Sequence, residues 1–211
     1  MNILAIGAHY DDIEMGCGGS LLRFKDKGYK IHIIVVTSSD YTTYDGTVVR
    51  SKEDARTEGI CAAQKMEVSS IVCLDYTSKN VKCDAFLIEN LNFLIDRVQP
   101  NIIFTHWHGD VHEDHYETAR ASIIAARHHP SVLLYRSNWY HTPHAFDGRF
   151  YIDITEVIEE KADLLRLHKV EYARRGEEWI DFMKSRAREA GLRMGISYAE
   201  EFEVFKYKAD L

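Results

Sequence analysis

Short apolar runs alternate with longer amphipathic stretches along most of the chain. The runs are rich in β-branched residues and predict buried strands at Asn2–Ala8, Ile31–Thr37, Ser70–Leu74, Asn101–Thr105 and Val132–Tyr135. The stretches between them have apolar residues at helical spacing and predict helices at Ile13–Lys27, Ser51–Met66, Asp84–Val98 and Tyr116–Arg127. The polar segments Ser38–Val49 and His106–His115 are predicted to be loops.

This strand–helix alternation predicts an α/β fold with a mostly parallel sheet and helices on both faces. The remaining chain predicts a strand at Phe150–Ile154, helices at Thr155–His168 and Glu177–Glu189, and an edge strand at Phe202–Tyr207. We find no linker and no internal repeat. A single domain spanning residues 1–211 is therefore expected.

Composition narrows the class of protein. The chain has 211 residues and a formal charge of −7, which argues against general nucleic-acid binding. No apolar run approaches the roughly 20 residues of a membrane span, and no basic leader is visible, so a cytoplasmic location is predicted. The four cysteines form no CxxC pair and are predicted to be reduced, buried thiols: Cys17, Cys61, Cys73 and Cys83.

The chain has 11 histidines, and several lie with aspartates directly after predicted strands. The first strand is followed by His9-Tyr10-Asp11-Asp12, and the fourth by the segment HWHGDVHEDH at residues 106–115. Ligands of parallel α/β sheets bind beyond the carboxyl ends of the strands. Both clusters are therefore expected at one site.

Histidine nitrogens and carboxylate oxygens are the ligands of catalytic zinc. A site drawn from His9, Asp12 and His115 suits Zn²⁺, with Fe²⁺, Co²⁺ or Mn²⁺ as alternative occupants. Asp11 is then a candidate base for water, and His112 a candidate general acid or oxyanion partner. No GxGxxG pattern is present, which disfavours a nicotinamide cofactor.

Two segments resemble a known family. AHYDDIEMGCGG at residues 8–19 and DVHEDH at residues 110–115 are similar to the AHPDD and HxDH motifs of the LmbE-like, or PIG-L, zinc-dependent de-N-acetylases. The resemblance extends to the helix that follows Arg50, to the late His168 and to the YAEEF segment at residues 198–202. Two positions depart from the family's pattern. Tyr10 replaces the family's usual proline. His168 is followed by Lys169, Val170 and Glu171, whereas the family's histidine is often followed, after one residue, by Ser-Gln.

The resemblance implies a Rossmann-like fold and removal of acetyl groups from N-acetylglucosamine-type sugars. It also favours a homo-oligomer, a trimer or a hexamer, and a small N-acetylated sugar as the partner molecule. The site residues that it implies are His9, Asp12 and His115 as metal ligands, Asp11 as general base, His112 as a positively charged oxyanion stabiliser, Asp114 as the group that orients His112, and Arg50 as a substrate contact.

Further residues are predicted from their positions near these motifs. Trp107 is a candidate sugar contact because an aromatic ring suits the apolar face of a sugar, and Asp110 is a candidate partner of a ligand histidine or of the substrate. Trp139 and Tyr140 are candidates for the same reason, and for all three aromatic residues core packing or loop placement is the favoured interpretation. No role is assigned to His106, His108, His141, His144 or His168.

Two other functions remain open from the sequence. A metal-dependent phosphoesterase also uses His and Asp clusters, although two-metal sites need more bridging carboxylates than this chain readily offers. A catalytically silent metal- or sugar-binding protein is the other. The presence of Asp11 argues against it.

Overall fold

A seven-stranded sheet is built from strands that span nearly the whole chain. The computed structural model describes residues 1–209. The strands are β1 Asn2–Gly7, β2 Lys30–Thr37, β3 Tyr41–Thr42, β4 Val48–Arg50, β5 Ser70–Tyr76, β6 Ile102–His106, β7 Val132–Tyr135, β8 Phe150–Asp153 and β9 Ala199–Lys206. The sheet order is β5-β2-β1-β6-β7-β9-β8, and β3 and β4 form a separate hairpin. In this sheet β5, β2, β1, β6 and β7 are parallel to one another, and β9 is antiparallel to both of its neighbours.

Helices cover both faces of the sheet. They are α1 Asp12–Asp26, α2 Lys52–Lys65, α3 Ala85–Val98, α4 Glu113–Ala125, α5 Ile158–Arg166, α6 Lys169–Arg175 and α7 Glu177–Met194. Alternate residues of β1 enter two apolar cores, Ile3 and Ala5 on one face and Leu4 and Ile6 on the other. Helices α3 and α4 pack on the second core, and α1, α2, α5 and α7 on the first. The predicted α/β fold is confirmed. Residues 210 and 211 of the predicted domain lie outside the described residues.

Several predicted boundaries were wrong. The expected loop Ser38–Val49 contains the β3–β4 hairpin, and α4 begins at Glu113 instead of Tyr116. The helix predicted at Thr155–His168 is a 3₁₀ turn followed by α5, and the short α6 was not predicted. Strand β9 lies between β7 and β8, but β8 pairs only with its residues Ala199–Phe202. Beyond Phe202, the segment predicted as an edge strand pairs with β7 alone, and Val204 and Phe205 are exposed.

The expectation of four buried cysteines holds only for Cys17. Cys61 is exposed, and Cys73 and Cys83 are half-buried, although all four are free thiols. Cys61 lies on α2, whose buried positions are mostly alanine and glycine, so the outward face of that helix carries the larger side chains. Within residues 1–209, no helix has the length and apolar character that crossing a membrane requires.

Helix α1, which leads away from the first predicted motif, packs very closely against the sheet. A Cβ atom at Gly16 would lie 2.1 Å from the ring of Tyr135 on β7. That ring is fully buried, and its hydroxyl donates a hydrogen bond to the carbonyl oxygen of Ile6 at 2.9 Å. The glycine therefore permits the approach that positions the start of α1 beside the strand ends.

We expect Gly16→Ala to lower the free energy of unfolding by about 1–3 kcal/mol, because the new methyl group must displace a buried ring. Gly18→Ala is the matched control in the same helix. Its nearest neighbours would be 3.7 Å away, so higher helix propensity should stabilise the protein by up to about 1 kcal/mol. Urea unfolding of both variants measures the difference, and equal effects would contradict the packing argument.

Candidate metal and active site

The two His and Asp clusters meet because β1 and β6 are adjacent parallel strands. One cluster lies on the turn from β1 into α1, and the other on the loop from β6 into α4. Both open into a cavity of about 320 Å³, within the usual size range of ligand sites. The predicted residues that line this cavity are His9, Asp11, Asp12, Arg50, His112 and His115.

Three side chains converge at the base of the cavity. Nδ1 of His9 lies 3.2 Å from Oδ2 of Asp12 and 3.3 Å from Nε2 of His115, and that Nε2 lies 3.1 Å from Oδ1 of Asp12. Ligands about 2.0–2.1 Å from a tetrahedral zinc ion are about 3.3 Å apart. The spacing therefore fits one such ion. Two sets of three side chains have possible metal-binding atoms within 4.8 Å of one another, and both sets include His115. They are His9, His112 and His115, and Asp12, His106 and His115.

The outer nitrogen of each central histidine is held by a carboxylate. Nε2 of His9 lies 3.0 Å from Oδ2 of Asp114, and Nδ1 of His115 lies 2.9 Å from Oδ2 of Asp110. Asp114 is itself fixed by the backbone N–H of Lys79, which donates to Oδ2 at 2.7 Å. Such partners fix the tautomer and ring orientation of metal-binding histidines. Both rings thus point one nitrogen at the centre.

This geometry corrects the expected role of Asp114. Its carboxylate faces His9, and only its backbone N–H reaches His112, donating to Nδ1 at 3.2 Å across the start of α4. His112 is the N-cap of that helix. Because Nδ1 accepts a hydrogen bond, a neutral His112 carries its proton on Nε2.

The charge of His112 also differs from the expectation. Burial, together with the positive charges of His115 and His9, lowers the pKa of His112 to about 4. The ring is therefore neutral near pH 7 instead of positively charged. It remains a hydrogen-bond donor through Nε2.

The aspartates around the centre raise the pKa values of its two histidines. Burial alone would lower the pKa of His9, but Asp12 and Asp114 raise it to about 10. Burial is likewise outweighed at His115, where Asp12 and Asp110 raise the pKa to about 9. The pKa of Asp12 lies well below its usual range, since the charges of the surrounding histidines outweigh its burial. The centre thus has the electrostatics of a cation site.

Asp11 lies beside this centre and is linked to a buried cation. Burial would raise the pKa of Asp11, but the Arg50 guanidinium 3.8 Å away lowers it, so Asp11 is a carboxylate at neutral pH. Arg50 is 3% exposed, and its Nη2 lies 3.1 Å from Oε2 of Glu58 and 3.3 Å from Nδ1 of His168. His168 therefore contacts Arg50, and Arg50 in turn faces Asp11.

Tyr10, the departure from the family's proline, adds a contact that proline lacks. Its backbone N–H donates to Oγ of Ser39 at 3.1 Å. Its ring is buried against Gly59 of α2, where a Cβ would lie 2.0 Å from the ring. A hydrogen bond and packing thus hold the turn that proline would stiffen through its fixed φ.

Other predicted residues lie outside the cavity. Trp107 is 3% exposed and packs in the core against Phe146, with ring centroids 5.5 Å apart, so the structure does not place it at a substrate. Asp110 is buried beneath His115 and also accepts the backbone N–H of His112 at 2.9 Å. Three of the histidines without a predicted role are exposed and also lie outside the lining: His108, His141 and His144.

His106, which had no predicted role, lies directly below the centre. It is fully buried at the end of β6, with Nε2 3.1 Å from Oδ2 of Asp12. Its ring stacks on that of His115, with centroids 4.2 Å apart. His106 therefore supports two of the three central side chains.

Much of the cavity wall consists of residues that the sequence patterns do not single out. Trp139 and Tyr140, for which core packing was the favoured interpretation, line the cavity, as do Lys79, Arg174 and Arg175. Lys79 follows the carboxyl end of β5, so a search of every strand end would have found it. The two arginines lie on α6, and no strand end marks their position.

Comparison with known proteins agrees with the site. Residues 4–126 match the family described as PIG-L, GlcNAc-PI de-N-acetylase. This is more than half of the chain, and the chain belongs to this family of de-N-acetylases. YaiS of Escherichia coli K12, described as an uncharacterized deacetylase, is 34% identical over 140 residues, which cover 65% of this chain and 75% of YaiS.

Solved structures share the fold at lower identity. N,N'-diacetylchitobiose deacetylase from Pyrococcus horikoshii has a TM-score of 0.84 at 20% identity, covering 97% of this chain and 83% of that one. GalB of Pseudomonas putida, a 4-carboxy-2-hydroxymuconate hydratase, has a TM-score of 0.81 at 17% identity, covering 100% and 98%. The fold is therefore shared with a protein of different activity, and the family match carries the deacetylase assignment.

The buried pair of Arg50 and Glu58 gives a test of the site's framework. We expect Glu58→Gln to lower the free energy of unfolding by about 3–5 kcal/mol, because it leaves a buried guanidinium without its nearest carboxylate. Glu156→Gln, which removes the partner of Arg23 on the surface, should cost at most about 1 kcal/mol. Chemical denaturation measures the free energy of unfolding of both variants. A loss at Glu58→Gln as small as that at Glu156→Gln would contradict a buried, structurally important pair of Arg50 and Glu58.

Proposed function

We propose that this protein is a metal-dependent hydrolase that removes the acetyl group from an N-acetylated sugar or sugar conjugate of the N-acetylglucosamine type. The observation that carries the proposal is the convergence of His9, Asp12 and His115 within 3.3 Å, beside the carboxylate of Asp11 in an open cavity. The diacetylchitobiose deacetylase structure and the family description both point to N-acetylated sugars.

His9, Asp12 and His115 would hold the metal, and two nitrogens with one carboxylate suit Zn²⁺. When bound, such an ion polarises a carbonyl and acidifies water. The two carboxylates that hold the histidines, Asp110 and Asp114, keep the rings in the required orientation.

Asp11 is the proposed general base. It is ionised, lies in the cavity next to the central side chains, and faces the positive charge of Arg50. It can therefore take a proton from the attacking water. Since the neutral His112 is a weak proton source, we propose that Asp11 also delivers this proton to the leaving amine.

His112 is the proposed oxyanion donor. Its Nδ1 is occupied by the Asp114 amide, so Nε2–H is available to the acyl oxygen as negative charge develops. Donation from a neutral ring replaces the positively charged His112 that the family resemblance implied. The positive charge of a bound ion would lower the pKa of this ring, as the charges of His115 and His9 do.

The wall of the cavity suits a sugar ring. Trp139 and Tyr140 are 38% and 47% exposed, and they line the same cavity as Asp11. Aromatic faces of this kind pack on the apolar faces of pyranose rings. We therefore propose Trp139 and Tyr140, instead of Trp107, as the aromatic contacts of the sugar.

The alternatives are less consistent with this geometry. A two-metal phosphoesterase needs ions about 3.5–4 Å apart with bridging carboxylates, whereas the carboxylates of Asp110 and Asp114 are turned away to the outer nitrogens of the histidines. A silent binding protein has no need of an ionised Asp11 beside Arg50. One metal ion per chain and measurable acetate release distinguish the deacetylase from both.

Asp11→Asn should lower the rate of acetate release by about 10²–10⁴-fold while metal content stays near one ion per chain, because the amide cannot accept the water proton. Acetate release from diacetylchitobiose and N-acetylglucosamine, with elemental analysis of the same samples, checks this. Asp181→Asn, an exposed change on α7, is the matched control. Activity that survives Asp11→Asn would remove Asp11 from the mechanism.

Asp114→Asn and Asp110→Asn should each weaken zinc binding by about 10–100-fold, because each removes the carboxylate that orients one central histidine. Asp40→Asn is the control, since Asp40 lines the same cavity and, within residues 1–209, accepts hydrogen bonds only from the hydroxyls of Ser38 and Ser78. Competition with a zinc chelator measures the affinities. Unchanged affinity in both variants would place the metal elsewhere.

The predicted assembly and location remain predictions. We propose a homo-oligomer, a trimer or a hexamer, in the cytoplasm, on the basis of the family resemblance and of the reduced cysteines. Light scattering on the purified protein tests the number of subunits.

A further inference from the structure

A second, small cavity adjoins the one that holds the reaction centre, and Met15 of α1 lines both. The second cavity measures about 30 Å³, and its wall is formed by α1, α5, α7, β9 and the residue that follows β7. This volume is enough for a water molecule or a monatomic ion, but not for a sugar. The proposed hydrolysis uses none of the charged side chains in this wall, which are Arg136, Lys161, Arg186, Glu200 and Glu201.

The carboxylate of Glu200 is fully engaged, but its partner Lys161 is not. Oε1 of Glu200 accepts Nζ of Lys161 at 2.5 Å and the backbone N–H of Gly19 at 2.9 Å. Oε2 accepts the backbone N–H of Ser20 at 2.7 Å. Lys161 is 2% exposed, and its ammonium also donates to the carbonyl oxygen of Met15 at 2.9 Å. Among residues 1–209 the third N–H of this ammonium has no partner, so a buried donor is left over at the cavity.

Two guanidinium groups form another part of the wall. Nη1 of Arg186 donates to the carbonyl oxygen of Asn138 at 3.1 Å, and Nη2 donates to that of Arg136 at 3.2 Å. Nε of Arg136 is buried and has no hydrogen-bond partner in the described part of the chain. Within that part, neither guanidinium forms an ion pair with a carboxylate. The wall therefore offers N–H donors whose charge is not paired.

The carboxylates nearby do not balance these cations. Burial and the charge of Arg136 lower the pKa of Arg186 to about 10, although Glu201 and Glu189 act in the opposite direction. Both of these carboxylates pair with the exposed Arg193, Glu201 at 3.4 Å and Glu189 at 2.5 Å. One positive charge is in excess in this group of four cations and three carboxylates: Arg136, Lys161, Arg186, Arg193, Glu189, Glu200 and Glu201.

We propose that this cavity is a binding site for one chloride ion, held by N–H groups of Arg136, Lys161 and Arg186. Lysine and arginine side chains donate hydrogen bonds and accept none, so the groups left over at this wall match an anion and not a metal ion. One monovalent anion balances the excess of one positive charge. The site and its test do not depend on the proposed hydrolysis.

The ion would stabilise a segment that supports the reaction centre. Arg186 holds the backbone carbonyl groups of Arg136 and Asn138, which flank Ser137. The hydroxyl of Ser137 donates to Oδ1 of Asp12 at 3.0 Å, and Trp139 follows directly in the sequence. An ion that keeps the two arginines together therefore holds the segment between a central side chain and the wall of the larger cavity.

Thermal unfolding in two sodium salts at equal ionic strength tests the site. A ligand that binds only the folded state with a dissociation constant of about 10 mM, present at about 100 mM, should raise Tm by about 3–6 °C in a chain of this length. We expect this shift in sodium chloride relative to sodium gluconate, whose anion is too large for the cavity. Equal Tm values in the two salts would overturn the proposal.

Variants locate the effect. Arg136→Gln should abolish the difference between the salts, because it removes a guanidinium from the wall, and Arg186 keeps its bonds to the backbone. Arg188→Gln is the matched control, since Arg188 is an exposed residue of α7 that donates to the carbonyl oxygen of Ser197 outside the cavity, and it should keep the full difference. A full difference in Arg136→Gln would place the chloride elsewhere, the metal centre included, and would reject the site.

Bromide gives a direct measurement that does not depend on a variant. In crystals grown in sodium bromide, we expect an anomalous scattering peak inside the small cavity, in contact with Lys161 and with the two arginines. Crystals that show bromide only at other positions, or none at all, would reject the site irrespective of the thermal data.

Discussion

The pairing of β1 with β6 is the constraint on which the site depends. Each strand ends in a short segment that enters a helix, and the parallel register Ile3–Ile102 to Ala5–Phe104 sets the two segments side by side. His9 and Asp12 come from the first, and His115 from the second, yet their donor atoms lie within 3.3 Å. The close contact of Gly16 with Tyr135 keeps the start of α1 at this position. Both contacts therefore contribute to the convergence of these three side chains.

A second layer of carboxylates and cations gives this centre its chemistry. Asp110 and Asp114 lie on the same β6–α4 segment, but they support different histidines, one of which comes from the other strand. The link between His9 and Asp114 therefore joins the two segments a second time. On the opposite side, Arg50 connects Asp11 to Glu58 of α2 and to His168, so residues more than 100 positions apart act on one carboxylate.

The same fold serves different reactions, as the similarity to a hydratase shows. The wall of the cavity is here built by the β3–β4 hairpin, by the segments after β5 and β7 and by α6. These are the segments with the weakest sequence patterns. The three central side chains, in contrast, lie at the ends of buried strands, where the surrounding fold holds them in place.

Much of the fold and of the centre could be predicted from the sequence. Apolar runs and helical spacing are local signals, so the order of strands and helices, the mostly parallel sheet and the clustering at two strand ends followed from residue patterns alone. The carboxylate partners could not be assigned in this way, because Asp114 is two residues from His112 in sequence but its side chain faces His9. Trp107 and Trp139 are equally aromatic in sequence, and only packing buries the first in the core and leaves the second in the cavity. Burial and side-chain direction arise from contacts between distant segments, and those contacts are decided by the tertiary structure.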